Sequence, residues 1–314
     1  MSELIGCGVK VIRPESTQFS MKGKRVLIIE DKGGIGDMLT LAVVVAQFKK
    51  IKECTTIVRC KGDSNGPRAE LLRHCAGIDE VVTMADMSNL VFDCAIDVSE
   101  DCARGEMAEI PSVTSCRAEL FCRALHLQLP DSLSPFINLS AVEVLNAVEV
   151  LESKGINCID FKYVALGTRS AELYKDWKVE YWEQLRGLLK EHEIPYISFG
   201  DEVDETELGI VTTAALLRYA SCVVSVDTLW LHLAGALGVP AIGMFGPSGA
   251  YSRIKPYPKA WGLQANLGCS PCWRNCIIPC QLDPHTLDKS YCMSEILPGE
   301  VFTAIKMAIA EEEE

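Results

Sequence analysis

Runs of clustered Lys and Arg are missing from this chain, and that gap excludes a class of partner. Its 30 Lys and Arg stand against 43 Asp and Glu, a formal net charge of −13. Neutralising nucleic-acid phosphates needs a basic surface, so no nucleic-acid partner is expected. A membrane span is missing too: the longest uncharged run, Thr228 to Ser252, holds five Gly, two Pro and His232, unlike the ~20 apolar residues a spanning helix requires. The opening MSELIGCGVKVIRPEST lacks the apolar core of a secretion signal, and the fifteen cysteines then imply a reducing, cytoplasmic setting. The familiar phosphate loops are also missing. In DKGGIGD no Gly-Lys-Ser/Thr follows, and Gly33, Gly34 and Gly36 do not give G-x-G-x-x-G.

What is present is a globular composition, 48% hydrophobic over 314 residues, long enough for two domains of ~150 residues each. The most informative stretch runs from Ala220 to Gly249 and reads as one βαβ unit. Cys222 to Val226 is an uncharged, Val-rich run of the kind buried on both faces of a parallel sheet. Thr228 to Leu237 follows as a tightly packed helix, Gly238 stops it, and Ala241 to Phe245 is a second buried strand ending at Gly246-Pro247. In such a unit the ligand edge lies where the first strand ends and the helix begins. Asp227, Thr228 and the following backbone N–H groups therefore stand where an anion would be held.

The same alternation recurs along the chain. Val9 to Ile12 is a short predicted strand. Lys24 to Glu30 is a strand entering the glycine turn, and Met38 to Lys49 an apolar helix with Asp37 at its start, either as an N-cap or as a carboxylate offered at the sheet edge. Strands at Thr55 to Cys60, Glu80 to Thr83 and Phe92 to Val98, with helices at Pro67 to Cys75, Ser112 to His126 and Ala141 to Lys154, complete a Rossmann-like first half. Cys116 and Cys122 read as small core residues of one helix face. The second half begins with FKYVALGTRS, a strand running into Gly167, Thr168 and Arg169. It continues through Lys175 and a packing Trp177, the helix Glu180 to His192, the strand Ile194 to Phe199, an acidic turn over 201–207 and the helix Thr212 to Tyr219. Domain limits of 1–157 and 158–296 are expected, with an amphipathic helix in 297–314 folding back on the first half before a solvated acidic tail.

From Cys269 the character changes. Cys269, Cys272, Cys276, Cys280 and Cys292 follow the spacing C-x2-C-x3-C-x3-C-x11-C. A C-x2-C turn places two thiolates on one ion, so the 269–292 loop reads as a structural metal site for zinc or iron, against the plainer reading of a free-thiol cluster.

Two Rossmann-like halves facing a cleft describe a GT-B glycosyltransferase, and the residues sharpen this. GGIGDML at 33–39 resembles the N-terminal G-D-x-L signature of glycosyltransferase family 9, the ADP-heptose:lipopolysaccharide heptosyltransferases. SVDTLWLHLAGALGVPAIGMFGPSG at 225–249 is similar to that family's long second signature, Thr168 to Trp177 to its K-x-W segment, and CSPC at 269–272 to a cysteine pair many members carry.

The resemblance implies transfer of a sugar from a nucleoside diphosphate carrier, ADP-heptose-like, to an acceptor hydroxyl, with inversion and with no cofactor required. Asp37 matches the family's general base. Lys175, Thr228 and the N–H groups after it match the positions that stabilise the leaving diphosphate, with Arg169 a further cation. Gly36, Thr168 and Asp227 line the same donor site, His232 one turn after Thr228 is either a donor contact or a hydrogen-bonded packing histidine, and Glu202 is placed on the donor's ribose. Leu229 stands where the family has Gly, so its side chain would crowd a diphosphate, and Val43 replaces a usual Pro. The acceptor is a lipopolysaccharide or related bacterial glycan, with peripheral membrane contact, or a protein. Asp97, Glu100, Asp101, Glu106 and Glu109 crowd the first half with acid. A non-catalytic nucleotide-sugar-binding protein and a nucleotide-sugar epimerase are the competing classes.

Overall fold

The structure, a computed structural model, describes residues 10–11, 20–110, 112–128, 137–156, 163–200, 208–273, 280, 282 and 290–311. By its internal contacts the chain divides into two units: Met1–Ile110 with Ser115–Asn138, and Pro111–Thr114 with Leu139–Glu314.

The first unit is built on a parallel sheet of β1 (Lys10–Val11), β2 (Arg25–Glu30), β3 (Thr55–Cys60), β4 (Glu80–Val82) and β5 (Cys94–Asp97), in the order β1-β5-β2-β3-β4. The apolar run Val26–Ile29 in β2 is almost wholly buried, as a central parallel strand covered on both faces must be. Helix α1 (Ile35–Lys52) buries Met38 to Val45 and Phe48. With apolar residues on nearly every side, it is a core helix rather than an amphipathic surface one. Then come α2 (Pro67–Arg73), which carries its Pro at the start, α3 (Asp101–Glu109) and α4 (Arg117–Ala124). Helix α3 is absent from the sequence reading because it buries only Cys102 and so shows no apolar stripe. Cys116 and Cys122 are buried, as expected.

The second unit repeats the plan with β6 (Val164–Gly167), β7 (Tyr196–Phe199), β8 (Cys222–Val226), β9 (Ala241–Phe245) and β10 (Ala260–Gln264), all parallel and ordered β10-β9-β8-β6-β7. Its helices are α5 (Ala141–Ser153), α6 (Val179–Glu191), α7 (Ile210–Arg218), α8 (Leu229–Leu237), α9 (Ala250–Ile254) and α10 (Pro298–Glu311). The β8-α8-β9 unit falls where the sequence puts it. Thr228 caps α8, and Gly238 ends it in the left-handed region at φ 70°. Trp177 packs as expected, buried with its indole N–H donating to the carbonyl of Ile296 at 2.9 Å.

Two segments sit differently from the sequence reading. Helix α5, assigned there to the first half, packs on α7 of the second unit through its buried Ala147 and Leu151 face. Helix α10, expected to return to the first half, is built into the second unit's core through Val301, Phe302, Ile305 and Ala308, next to α6. Among the described residues no helix is long and apolar enough to cross a membrane.

Candidate active site

At the C-terminal edge of the second sheet one carboxylate gathers the charges. Asp227, the residue after β8, is 5% exposed. Its Oδ2 accepts the Ser248 hydroxyl at 2.7 Å and lies 3.2 Å from Lys175 Nζ and 3.6 Å from Arg253 Nε. Burial alone pushes the Asp227 carboxyl up, but Lys175, Arg253, His232 and the Ser248 hydroxyl together outweigh it and hold it well below the usual carboxylate range. Burial pulls the Lys175 ammonium down, and Asp227 with Glu172, 2.5 Å away, more than restores it. The cluster therefore holds two cations, Lys175 and Arg253, against the buried Asp227 and the more exposed Glu172, beside the start of α8.

Other expected donor residues sit around that point in distinct ways. Thr228 is the N-cap of α8: its hydroxyl accepts Trp230 N–H at 3.4 Å and lies 3.1 Å from Ser225 Oγ. Leu229, first residue of the helix, is half-buried. His232 is buried with Nδ1 2.9 Å from the Tyr257 hydroxyl. Thr168 is buried at the end of β6, its hydroxyl donating to the Phe199 carbonyl at 2.9 Å, and Arg169 beside it is exposed. Glu202 lies outside the described residues.

Sequence reasoning missed Arg253, Ser248 and Gln264. Gln264 Nε2 reaches the carbonyls of Phe245 (3.2 Å), Gly246 (3.2 Å) and Ser248 (3.3 Å), while its Oε1 accepts Ala250 N–H at 2.8 Å. It binds together the turn that presents Ser248. The only cue in the sequence was the nearness of Arg253 to the Phe245-to-Gly249 turn.

In the first unit, α1 starts earlier than the sequence suggested, with Gly34 as N-cap and Asp37 in the helix's first turn. Asp37 Oδ2 accepts the N–H of Gly34 at 3.0 Å, and Oδ1 accepts from Arg117, which also reaches Glu106 at 3.2 Å. Burial pulls the Arg117 guanidinium down, but Asp37 and Glu106 drive it further up. Gly36 offers its carbonyl to Thr40 at 3.0 Å. Glu30, at the end of β2 and 2% exposed, accepts the N–H groups of Lys32 (2.9 Å) and Gly33 (2.6 Å). Burial, against those two donors and with help from Asp37 and Asp31, pushes its carboxyl up to about 7.

Of the five cysteines, Cys276 lies outside the described residues. Cys269 and Cys280 are half-buried, Cys272 exposed, Cys292 buried, and these four are not in disulfides. The Cys292 thiol is pushed up to about 12, first by burial and then by Cys272, Cys280 and Cys269. Among the described residues, however, no three His, Cys, Asp or Glu side chains converge as a metal cage requires. Cys292 sits buried in a short helical turn, Tyr291–Glu295.

Two α/β units, each on a parallel five-stranded sheet and the second with a buried cation pair at its sheet edge, give a fold of the GT-B type. The sequence model of glycosyltransferase family 9 (heptosyltransferase) matches residues 205–281. Among solved structures, the family 9 glycosyl transferase of Veillonella parvula is similar at 15% identity and TM-score 0.69, covering 93% of this chain and 99% of that one. The ADP-heptose LPS heptosyltransferase II of E. coli gives 13% and 0.66, over 92% and 100%. TibC, an iron-containing dodecameric glycosyltransferase of enterotoxigenic E. coli, gives 17% and 0.69, over 94% and 78%. No curated protein matches the sequence. The family's sequence pattern thus lies in the second unit, and the fold of these solved structures extends over the whole chain.

Proposed function

We propose that this enzyme is an inverting transferase that moves a heptose-like sugar from a nucleoside diphosphate, of the ADP-heptose kind, to a hydroxyl of a lipopolysaccharide or related bacterial glycan. The observation that carries the donor half of this reading is Asp227 with Lys175 and Arg253 at the edge of β8. A cation pair pre-assembled on a buried anion has no reorganisation left to do as negative charge grows on the departing diphosphate. The N–H groups at the start of α8 add their partial charge.

In the proposed step, an acceptor oxygen attacks the anomeric carbon as the bond to the diphosphate oxygen breaks, and that bond's electron pair leaves with the nucleotide. The acceptor proton goes to Asp37. Each Asp37 oxygen accepts a hydrogen bond that orients the carboxylate, and a carboxylate oxygen has the capacity to accept more than one. A heptosyltransferase structure of E. coli contains ADP-2-deoxy-2-fluoro heptose, which supports the choice of donor to test first. No cofactor is assigned to the transfer, and the proposed compartment is the cytoplasm.

The test is turnover. Wild type and Asp37→Ala are incubated with a panel of nucleotide sugars and glycan acceptors, and release of nucleoside diphosphate is followed. Loss of turnover with retained donor binding supports Asp37 as base; equal turnover removes it. Zinc or iron in the cysteine segment is a separate, structural part of the proposal. It rests on the C-x2-C spacing of Cys269 and Cys272 within a segment of five cysteines. Metal analysis beside a Cys269→Ser/Cys272→Ser variant decides it, and a stoichiometry near zero in wild type ends it.

A further inference from the structure

The segment after Cys269 does more than carry thiols. Trp273 N–H donates to the carbonyl of Pro247 at 2.7 Å, and the Ser270 hydroxyl donates to the carbonyl of Gly246 at 2.6 Å. Ser270 Oγ also accepts Gln264 Nε2 at 2.8 Å. A Cβ on Gly249 would stand 2.8 Å from the Trp273 ring, and one on Gly246 would stand 2.6 Å from Cys292 Sγ. The turn Gly246–Gly249, which presents Ser248 to Asp227, is therefore packed against the cysteine segment without room for a single methyl group.

Trp273 itself is held in the left-handed region at φ 55°, a conformation disfavoured for any residue with a Cβ and one that persists only where the surroundings fix it. What it achieves there is a contact with the pocket: the Arg253 guanidinium carbon lies 5.3 Å from the centre of the Trp273 ring, within cation–π range. Both partners are largely buried, Arg253 7% and Trp273 8% exposed. An arginine has several rotatable bonds, and a face to lie on is what fixes its Nε near Asp227.

We propose that Trp273 is a positioning residue for the diphosphate pocket: by stacking on Arg253 and holding the Pro247 carbonyl, it makes the cysteine segment a wall that sets where the second cation stands. This rests on the donor-site reading, and deepens it, because the segment then acts on nucleotide affinity whether or not its thiols hold a metal.

The experiment uses full-length protein, ADP as probe, and two variants that both fill the space. Trp273→Leu removes the aromatic face; Trp273→Phe keeps one. Calorimetric titration is expected to show ADP binding weakened about tenfold or more by Trp273→Leu and within about threefold of wild type for Trp273→Phe. In parallel, the Arg253 Nε–H resonance, assigned by its loss in Arg253→Lys, is expected to shift or vanish in Trp273→Leu and to survive in Lys175→Met. Equal ADP affinity together with an unmoved Arg253 resonance in Trp273→Leu overturns the proposal. If wild type binds no ADP, the donor reading falls, and the resonance alone decides the positioning claim: a shift upholds it and no shift overturns it.

Discussion

Arg117 donates to Oδ1 of Asp37 while the N–H of Gly34 occupies Oδ2, so the proposed base is held from two sides. Its orientation is fixed by the helix start and by a guanidinium that also answers to Glu106.

That arrangement makes Arg117 costly to remove. Arg117→Met removes the guanidinium that two largely buried carboxylates, Asp37 and Glu106, share, and like charges near one another repel. Urea denaturation at pH 7 is expected to show a loss of about 2–4 kcal/mol. A change below about 0.5 kcal/mol would mean that the pair is a surface pair in effect.

Glu30 gives a pH-dependent prediction. Its carboxyl is pushed up to about 7 in the fold, against roughly 4.3 in an unfolded chain. Below the lower value both states are protonated and nothing is lost. Between the two, the unfolded chain gives up its proton and the folded one keeps it, so stability falls as pH rises and levels off above about 7. Glu30→Gln keeps an oxygen for the N–H groups of Lys32 and Gly33 and abolishes that titration. Relative to wild type it should gain on the order of 1–3 kcal/mol between pH 4.5 and pH 8 in urea melts. A difference that does not vary with pH contradicts the assignment.

Close packing on α8 supplies a third. A Cβ on Gly235 would lie 2.3 Å from the Tyr257 ring, the same ring whose hydroxyl meets His232. Gly235→Ala should destabilise by about 1–3 kcal/mol despite Ala being the better helix former. A raised melting temperature in a thermal scan would show that Tyr257 moves aside freely.

The sequence made some of this legible and hid the rest for physical reasons. The β8-α8-β9 unit was readable because a buried Val-rich run, a capped helix and a stopping glycine all agree locally. Asp227 and Thr228 are legible from the strand-to-helix turn and Lys175 through the family resemblance, but the contact of Lys175 with Asp227 joins distant parts of the chain. Arg253 and Gln264 lie in short elements, Ala250–Ile254 and Ala260–Gln264, too brief for a periodic signal. The start of α1 was read late because the turn is glycine-rich and the cap is closed from inside the helix by Asp37. Helix α5 was assigned to the wrong neighbour because chain order says nothing about which sheet an amphipathic helix covers.

The account turns on the cation pair around Asp227 being a diphosphate site. The most direct measurement is calorimetric titration of ADP-heptose into wild type and Lys175→Met, a change that leaves Asp227 with Arg253 and Ser248, with a thermal melt of both proteins to establish that each is folded. The account predicts binding by wild type, weakened about tenfold or more in the variant. Equal affinity in the two proteins, or no binding by wild type, would contradict it.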